Sequence, residues 1–554
     1  MPWISKDISN TQDTYDFVDG FRSRDIPVGA VVLDSPWETQ YNTFVPSPSR
    51  YPEFAKLVSD LHQREVRVVL WTTPLINRSS FDLETGGDSY TGAAENFQPA
   101  LDCGFFVNSG ETYIWWKGQG GAIDFFNGAA RAAWHHQQDT VLDQGIDGWK
   151  LDFGESYIAT EPLETKVGQK SLQEYSEEYY RDFLAYGVKR RGPEFLTMVR
   201  AYDASYQFSG RFFARKEHAP VAWMGDNRRD FVGLADALDE MFVSARAGYA
   251  VLGSDIGGYL DVDDLDPTGP HIPFDPEVFL RWTAVGALTP FMQLHGRANL
   301  TPWTVPTRVD ETVAAYRFWA KLHEQLVPFF YSLAQEAQPR GQAILFPQGD
   351  AAMWAGDYRY VIGEALLVAP LLDGSGRRDV VLPAGSRWMD FFDPSAVLAG
   401  GSTVASYDAR DPKRLPLFLR EGAVVPLEVR DDSTGLGSAD SANALTLLLF
   451  PGPTRTSFRL HDFDDQLTDI TAQSAAHSAE VSISRAPRKL LLRLRLDEQP
   501  TSVTWNGKAL AQAGSYAALA ALQSGYATDP VRHLTFVKLP AAAGAQRIQV
   551  ATGP

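Results

Sequence analysis

Residues 145–155 read Gly-Ile-Asp-Gly-Trp-Lys-Leu-Asp-Phe-Gly-Glu. Within this stretch, residues 148–154 form a short and mostly apolar run that contains Asp152 near its end. Apolar runs of about five to eight residues are typical of parallel strands that are buried on both faces. Seven further runs of this kind lie in the first 300 residues, at 26–34, 66–74, 122–127, 195–202, 221–226, 249–255 and 287–295.

Longer amphipathic stretches separate these runs. They predict helices at 49–65, 128–144, 172–189, 229–247 and 311–335. Eight strands alternating with helices over about 310 residues favour an α/β fold, a (β/α)8 TIM barrel. An open, doubly wound sheet is the alternative, but such sheets usually contain fewer strands.

The sequence changes character after about residue 340. Short strand-like runs are separated there by Gly, Pro, Asp and Ser, which is typical of antiparallel β-sandwich domains. The polar stretch 431–443 is the best boundary between two such domains. We therefore predict a catalytic barrel at 1–338, a proximal β-sandwich at 339–430 and a distal β-sandwich at 431–554.

Composition excludes several classes of protein. The chain has 554 residues, 44% of them hydrophobic, and a formal charge of −19 without a run of five basic residues, which argues against a nucleic-acid partner. No apolar run reaches the length of a membrane span, so no membrane partner is expected. Cys103 is the only cysteine, and the first residues do not resemble a signal peptide, so we predict a cytoplasmic protein. A homo-oligomer is left open.

Polar and aromatic residues follow the predicted strands directly. In a parallel barrel the carboxyl ends of the strands meet at one mouth, where catalytic residues cluster. A single aspartate at such a position often caps the next helix instead. Several acids among aromatic neighbours indicate a sugar pocket, because sugar C–H faces pack on rings and hydroxyls bind carboxylates. The strand-end residues are Asp34, Trp71, Asp152, Arg200, Asp226, Asp255 and His295.

Two of these acids suit the cleavage of a glycosidic bond. That reaction needs one ionised carboxylate and one protonated carboxylic acid on either side of the bond. Lys150 lies two residues before Asp152 and would keep it ionised. Asp226 lies among apolar and neutral residues, where desolvation would raise its pKa.

Four motifs resemble those of glycoside hydrolase family 31. Residues 145–155 and Trp-Met-Gly-Asp-Asn at 223–227 are similar to the two catalytic motifs of that family. Gly-Ser-Asp-Ile-Gly-Gly-Tyr at 253–259 resembles its aspartate–isoleucine–glycine–glycine–aromatic segment. Thr-Pro-Phe-Met-Gln-Leu-His at 289–295 resembles its strand-eight motif. The resemblance runs in register from about residue 5 to 425.

The resemblance implies a retaining exo-α-glycosidase that releases a terminal sugar, α-xylose or α-glucose, from an oligosaccharide or glycoside. Asp152 would be the nucleophile and Asp226 the acid and then the base. Retention predicts carboxyl groups about 5–5.5 Å apart, against about 6.5–9.5 Å for inversion. Arg211 and Arg215 are alternatives to Arg200 as the arginine of the site. The residues that would bind substrate are Asp34, Trp71, Trp116, Lys150, Arg200, Trp223, Asp255 and His295.

The chain departs from the family pattern in three places. Family members usually carry an N-terminal β-sandwich, whereas the first predicted strand begins near Ile26, so we expect that domain to be missing. Lys150 before the nucleophile is similar to the α-xylosidase branch. Gln293 stands where an arginine is frequent. These differences leave the sugar open, and α-galactosidase or α-transglycosylase activity are alternatives.

Two rivals belong to other classes. A metal-dependent hydrolase could use acids and histidines of the barrel, but His135 and His136 are adjacent on a helix and point about 100° apart. A non-catalytic carbohydrate-binding protein could keep the fold, although both proposed catalytic acids are present. We therefore expect an enzyme without a metal or another cofactor.

Overall fold

A computed structural model describes residues 9–83, 90–206, 210–349 and 351–553. Residues 1–8, which bear on the signal-peptide prediction, lie outside the described residues. The chain divides into two compact units. The first comprises Met1–Phe279 and Phe291–Val313, and the second comprises Leu280–Pro290 and Ala314–Pro554.

A six-stranded parallel sheet lies at the centre of the first unit. Its strands pair in chain order, and their side chains are almost all buried, which explains why each strand appears in the sequence as a nearly continuous apolar run. The strands are β1 (Ala30–Leu33), β2 (Arg67–Thr72), β3 (Gly148–Leu151), β4 (Leu196–Arg200), β5 (Val221–Met224) and β6 (Leu252–Ser254).

Six of the eight predicted runs contain one of these strands, and the other two differ. The run 287–295 adds one parallel bridge, between Gln293 and Asp255, beside β6. The prediction of a barrel strand at 122–127 is wrong. The strand there is Gly118–Ala122, which pairs antiparallel with Leu75–Ser80 and Thr112–Trp115. Its glycines suit this small sheet, because a Cβ on Gly120 would lie 2.5 Å from the Ile76 carbonyl oxygen.

All five predicted helices are present with shifted ends, and several further helices occur. Three of the predicted helices are capped at their N-termini by polar side chains. Asn127 accepts from the N–H of Ala129, Ser171 and Glu174 form a capping box, and Asp230 accepts from the N–H of Gly233. The longer helices are Thr11–Arg22, Phe54–Gln63, Gly128–Leu142, Leu172–Arg191, Phe231–Arg246, Pro276–Ala287 and Val309–Ala337, and the shorter ones are Phe97–Asp102, Ala351–Trp354 and Tyr516–Leu519.

Two short antiparallel pairs of strands also belong to the first unit, Leu163–Thr165 with Gly168–Lys170 and Tyr202–Asp203 with Arg211–Phe212. Aliphatic and aromatic side chains from several strands form a buried cluster on one face of the sheet, among them Val32, Val69 and Trp223. The buried cluster on its other side is aromatic. Its rings are Phe44, Trp134, Trp149 and Phe183, with centroids 4.8 to 6.5 Å apart.

The second unit consists mainly of antiparallel sheets, as the sequence predicts. A six-stranded sheet and a two-stranded sheet occupy residues 345–420. The first has the order Leu345–Pro347, Tyr360–Ile362, Leu366–Val368, Leu417–Arg420, Arg387–Asp390 and Val397–Ala399, and the second pairs Arg377–Val381 with Thr403–Asp408.

Two larger sheets follow and enclose one apolar core, to which Leu447, Val481, Leu492 and Val550 contribute. Their pairing is antiparallel except between Ala444–Leu449 and Lys489–Arg495, which run parallel. The five-stranded sheet has the order Val424–Leu427, Ala444–Leu449, Lys489–Arg495, Leu534–Leu539 and Gly525–Asp529. The six-stranded sheet has the order Thr456–His461, Leu467–Ala475, Ser478–Ile483, Gln546–Thr552, Pro500–Trp505 and Lys508–Ala509.

None of the helices in the described residues combines the length and apolarity that crossing a membrane would require.

Candidate active site

Four acids lie together at the carboxyl end of the parallel sheet. Asp34, Asp152 and Asp255 directly follow β1, β3 and β6, and Asp226 follows β5 after one glycine. Because all six strands are parallel, these positions share one edge of the sheet. The helices that follow β3 and β5 are capped by other residues, so helix capping does not account for Asp152 and Asp226.

Asp152 is buried and surrounded by donors. Its Oδ1 accepts from Nε and Nη2 of Arg200, at 3.3 and 3.2 Å, and from the N–H of Phe153 at 2.9 Å. Its Oδ2 accepts from Nε1 of Trp71 at 3.1 Å. Burial alone would raise the pKa of Asp152, but the charges of Arg200 and Lys150 outweigh it and hold the pKa below its usual value. Asp152 is therefore kept ionised.

The pKa of Asp226 is displaced upward, in the opposite direction to that of Asp152. Its Oδ1 accepts from Nη2 of Arg200 at 3.1 Å, and its Oδ2 accepts from the hydroxyl of Tyr206 at 2.9 Å. Burial raises the pKa of Asp226 above its ordinary value, and the nearby negative charge of Asp152 adds to the effect, against the lowering influence of Arg200. Two carboxyl groups whose pKa values are displaced in opposite directions are arranged for acid and base roles.

Arg200 joins the two acids. Its side chain is 1% exposed, and its Nη2 donates to both Asp152 and Asp226. Nη1 donates to Asp203, and the guanidinium carbon lies 4.0 Å from the ring centroid of Phe153. The guanidinium is thus fixed on several sides by charge and by an aromatic face.

Lys150 and Asp34 form a second buried charged group. Nζ of Lys150 lies 3.0 Å from Oδ2 of Asp34, and it lies 5.3 Å from the ring centroid of Trp223. Oδ1 of Asp34 accepts from the N–H of Ser35 at the start of a short 3-10 turn, so this acid also caps a turn. Lys150 is therefore fixed by one carboxylate and one aromatic face beside the nucleophile candidate.

Asp255 and His295 lie at the β6 side of the site. Asp255 is fully buried; its Oδ1 accepts from Nε2 of Gln293, and its Oδ2 has no hydrogen-bond partner within the described part of the chain. Burial raises the pKa of Asp255 well above its ordinary value. The ring of His295 lies 4.7 Å from that of Tyr259. A buried carboxyl oxygen without a partner is suited to form a hydrogen bond with a ligand hydroxyl.

Aromatic rings continue the site beyond Asp152. Trp116 is half-buried and stacks on Phe153 with a centroid distance of 5.4 Å and an interplanar angle of 24°. It also contacts Trp71 at 6.3 Å and Tyr157 at 5.3 Å. These rings form a continuous aromatic surface that begins at the residue after Asp152.

Comparisons with known proteins show which family the chain belongs to. The profile of the glycosyl hydrolases family 31 TIM-barrel domain matches residues 3–333, and that of the glycosyl hydrolase family 31 C-terminal domain matches residues 338–425. The first match covers more than half of the chain. The chain belongs to glycoside hydrolase family 31. The resemblance of its four motifs is thereby confirmed, and so is the prediction of a TIM barrel followed by β-rich C-terminal domains.

Relatives with known functions have low sequence identity to this family 31 chain. The isomaltosyltransferase of Sporosarcina globispora is 24% identical over 96% of the chain and 50% of its own length. The 1,6-alpha-glucosyltransferase of the same organism is 25% identical over 97% of the chain and 43% of its own length. The chain thus spans about half the length of the curated relatives it matches.

A solved structure shows the same fold. The cycloalternan-forming enzyme of Listeria monocytogenes, in complex with a pentasaccharide substrate, superposes with a TM-score of 0.82 and 21% identity. The match covers 99% of this chain and 54% of that enzyme. At this identity the likeness concerns the fold.

The structure distinguishes the three arginines that precede Asp226. Arg200 contacts both acids, whereas Arg211 pairs with Glu155 at 3.5 Å and Arg215 pairs with Glu177 at 3.2 Å. Sequence reasoning did not identify Tyr206, Asp203 or Phe153 as parts of the site. Phe153 directly follows Asp152, and its aromatic character was the available signal. Tyr206 belongs to a loop whose path the sequence does not reveal.

Within the described parts of the chain, the residues considered for a metal site do not form one. His135 lies on the helix Gly128–Leu142, where it forms a hydrogen bond with Asp182 at 2.7 Å and stacks on Tyr186. Across residues 9–83, 90–206, 210–349 and 351–553, no group of three or more His, Cys, Asp or Glu side chains could hold a metal ion.

Proposed function

We propose that this family 31 chain is a retaining α-glycosidase in which Asp152 is the nucleophile and Asp226 the acid and base. The observation that carries the proposal is that two buried carboxyl groups bind the same Nη2 of Arg200 at the carboxyl end of the sheet, and the opposite directions of their pKa shifts agree with it. Asp152 is held ionised by Arg200 and Lys150, and Asp226 is disposed to carry a proton. A protein that only binds sugar has no need of this pair.

The separation of the acids supports retention. Both Oδ1 atoms accept from the same Nη2 of Arg200, Asp152 at 3.2 Å and Asp226 at 3.1 Å. The distance between these oxygens therefore cannot exceed the two hydrogen bonds laid end to end. The limit applies to the two Oδ1 atoms. So close an approach favours the carboxyl separation of about 5–5.5 Å in retaining enzymes over the about 6.5–9.5 Å of inverting ones.

The reaction follows in two displacements. Oδ2 of Asp152, which faces fewer donors than Oδ1, attacks the anomeric carbon from the β face while Asp226 gives its proton to the glycosidic oxygen. The bond to the leaving group breaks with its electron pair, and a β-glycosyl ester of Asp152 remains. Asp226, now ionised, takes a proton from water, and the oxygen of that water attacks the anomeric carbon and releases Asp152 and an α-sugar.

We propose a terminal α-linked glucose as the sugar, with α-xylose as the alternative. The two relatives that match nearly the whole chain are named for isomaltosyl and α-1,6-glucosyl transfer. Buried charged groups alternate with indole faces, as hydroxyl groups and C–H faces of a sugar require. The residues proposed to contact the terminal sugar are Asp34, Trp71, Trp116, Lys150, Arg200, Trp223, Asp255 and His295.

Transfer to a sugar acceptor is the second candidate function. The same covalent intermediate can be attacked by a sugar hydroxyl instead of water. The names of the two transferases favour this candidate, and so does the half-buried pair of rings Trp116 and Tyr157, which lie 5.3 Å apart and could hold an acceptor ring. Product analysis with increasing maltose or isomaltose distinguishes the two outcomes, because transfer yields longer oligosaccharides.

The nucleophile is tested by trapping and by substitution. A 5-fluoroglycosyl fluoride should label Asp152, as peptide mass spectrometry would show, and Asp152→Asn should lose activity on aryl α-glucoside, α-xyloside and α-galactoside. Asp139→Asn is the matched control, because Asp139 lies on a helix and bonds to Arg190 and Tyr186. Wild-type rates in Asp152→Asn, or a label on another residue, would refute the assignment.

A further inference from the structure

The two oxygens of Asp226 have different partners. Oδ1 accepts from the cationic Nη2 of Arg200 at 3.1 Å, whereas Oδ2 accepts from the neutral hydroxyl of Tyr206 at 2.9 Å. A cation beside Oδ1 disfavours a proton on that oxygen. The proton of the acid form therefore belongs on Oδ2, the oxygen that Tyr206 reaches.

The structure fixes Tyr206 independently of Asp226. Its backbone has a φ of 58°, a left-handed conformation that is uncommon for a bulky residue, and its N–H donates to Oδ2 of Asp264 at 3.1 Å. Its ring lies parallel to that of Phe153, with centroids 6.1 Å apart and an interplanar angle of 21°. The hydroxyl is thus carried to Asp226 by a backbone contact and a ring contact.

Ser205, the residue before Tyr206, forms a hydrogen bond with the backbone of Asp226. Oγ of Ser205 accepts from the N–H of Asp226 at 3.2 Å and donates to Oδ1 of Asp203 at 2.5 Å. One short segment therefore contacts both the main chain and the carboxyl group of Asp226. This double contact fixes the direction in which Oδ2 points.

We propose that Tyr206 is a positioning residue that orients the carboxyl group of Asp226, so that Oδ2 with its proton faces the glycosidic oxygen, and that stabilises the carboxylate left when the proton has gone. The proposal rests on the function proposed above. In the first displacement the Oδ2–H bond breaks, the proton goes to the leaving oxygen, and the Tyr206 hydroxyl donates to the carboxylate that remains. In the second, Oδ2 takes a proton from water or an acceptor hydroxyl. Tyr206 keeps its own proton throughout.

The effect of the hydroxyl on acidity has a defined sign. The charged groups that influence Asp226 are the cations Arg200 and Lys150, which favour its ionised form, and the acids Asp152 and Asp203, which oppose it. Asp255 is a further acid of the site, and burial and the charge of Asp226 raise its pKa. A hydrogen bond donated to the ionised carboxylate also favours that form. Loss of the Tyr206 hydroxyl therefore shifts the ionisation of Asp226 to higher pH.

Tyr206→Phe keeps the ring and removes the hydroxyl. We expect kcat/KM to fall about tenfold to a hundredfold on a phenyl α-glucoside or a disaccharide, whose leaving groups need a proton. On a dinitrophenyl α-glucoside, which leaves without protonation, kcat/KM should change by less than about twofold. The basic limb of the pH profile on the phenyl glycoside should move to higher pH.

The control is Tyr202→Phe, which removes a hydroxyl from the same segment while its ring remains against Phe212. This variant should match the wild type on both substrates. Equal losses on both substrates in Tyr206→Phe, or an unmoved basic limb, would overturn the proposal, since a general disturbance of the fold does not depend on the leaving group.

A titration separates this proposal from the proposed function. Carboxyl-labelled [13C]aspartate protein, with Asp226→Asn identifying the resonance, reports the pKa of Asp226 without any substrate. An upward shift in Tyr206→Phe supports the positioning role even if Asp152 is not the nucleophile, and an unchanged pKa refutes it even if the chain is an active α-glycosidase.

Discussion

Lys150 and Asp34 are joined by a buried ion pair at the carboxyl ends of two strands of one sheet. Their Nζ and Oδ2 atoms are 3.0 Å apart, and each side chain is 5% exposed. Burying two charges is costly, and pairing offsets that cost, so the removal of one partner leaves the other charge uncompensated. The pair therefore couples the stability of the barrel to the electrostatics of its active site.

Lys150→Met tests this coupling. The free energy of unfolding should fall by about 3–5 kcal/mol, because Asp34 remains buried without its cation. The pKa values of both Asp152 and Asp226 should rise, since Lys150 lowers each, and both limbs of the activity profile should move to higher pH. Urea denaturation and pH–rate profiles measure the two effects.

The double variant Lys150→Met/Asp34→Leu is the control for that experiment. It removes both charges, so it should regain part of the stability that the single variant loses. Stability in Lys150→Met equal to that of the wild type would contradict a buried pair.

The wild type should show a bell-shaped pH dependence of kcat/KM. Arg200 and Lys150 lower the pKa of Asp152, so the acid limb should lie below the about 3.9 of an ordinary aspartate. Burial raises the pKa of Asp226, so the basic limb should lie above that value. Activity is thus lost as pH falls through the first pKa and as it rises through the second. A single limb would argue against two coupled acids.

Azide should reveal the roles of the two acids through the anomer that forms. Asp226→Ala should lose about 10²–10⁴-fold on a phenyl α-glucoside, and azide should restore turnover of an activated substrate with α-glycosyl azide as product. Asp152→Ala with azide should yield the β anomer, because azide then replaces the nucleophile. The same anomer from both variants, identified by NMR, would contradict the assigned roles.

Gln293→Ala should weaken binding of the terminal sugar. Nε2 of Gln293 donates to Oδ1 of Asp255, and without it a fully buried carboxyl group loses its donor. We expect about 1–3 kcal/mol less stability and a higher KM, with a further increase in the pKa of Asp255. Gln63→Ala, at an exposed helix position, is the control. Unchanged KM and unchanged stability would show that the bond has no role.

Gly225→Ala should disturb Asp226 through simple crowding. Gly225 has a φ of 21°, and a Cβ there would lie 2.6 Å from Oδ1 of Asp203 and closer still to Oγ of Ser205. Crowding of this kind costs about 1–3 kcal/mol, and activity should fall more than tenfold because Asp226 is the next residue. In Gly29→Ala the new Cβ meets nothing within 4 Å, so this variant should behave as the wild type. Thermal unfolding and kcat/KM compare the two.

Much of the barrel could be predicted from the sequence, because buried parallel strands produce apolar runs that need no knowledge of the fold. The run 122–127 was misassigned for the same reason. Most of its apolar residues are buried, but only Ala122 belongs to a strand, which is glycine-rich and antiparallel, and an apolar run alone does not report strand direction. The helix Pro276–Ala287 was not predicted, although it lies between two predicted strands as the other helices do.

The positions of the four acids could be predicted because each lies at the carboxyl end of a strand, directly after it or, for Asp226, one residue further on. Tyr206 could not, since its contact with Asp226 depends on a left-handed backbone turn and on a ring placed over Phe153. Arg200 was open against Arg211 until the structure showed that Arg211 pairs with Glu155. Partner choice among several arginines depends on distances that spacing in the chain does not determine.

The single guanidinium nitrogen shared by the two acids has a consequence for the charge of the pocket. Before the proposed reaction Asp152 is negative and Asp226 is neutral. In the glycosyl intermediate Asp152 is an ester and Asp226 is negative. The negative charge has moved from one acceptor of Nη2 to the other, and the total charge of the two acids has not changed. Arg200 can therefore balance one unit of charge at every stage without moving, and the pocket need not rearrange to accommodate its own intermediate.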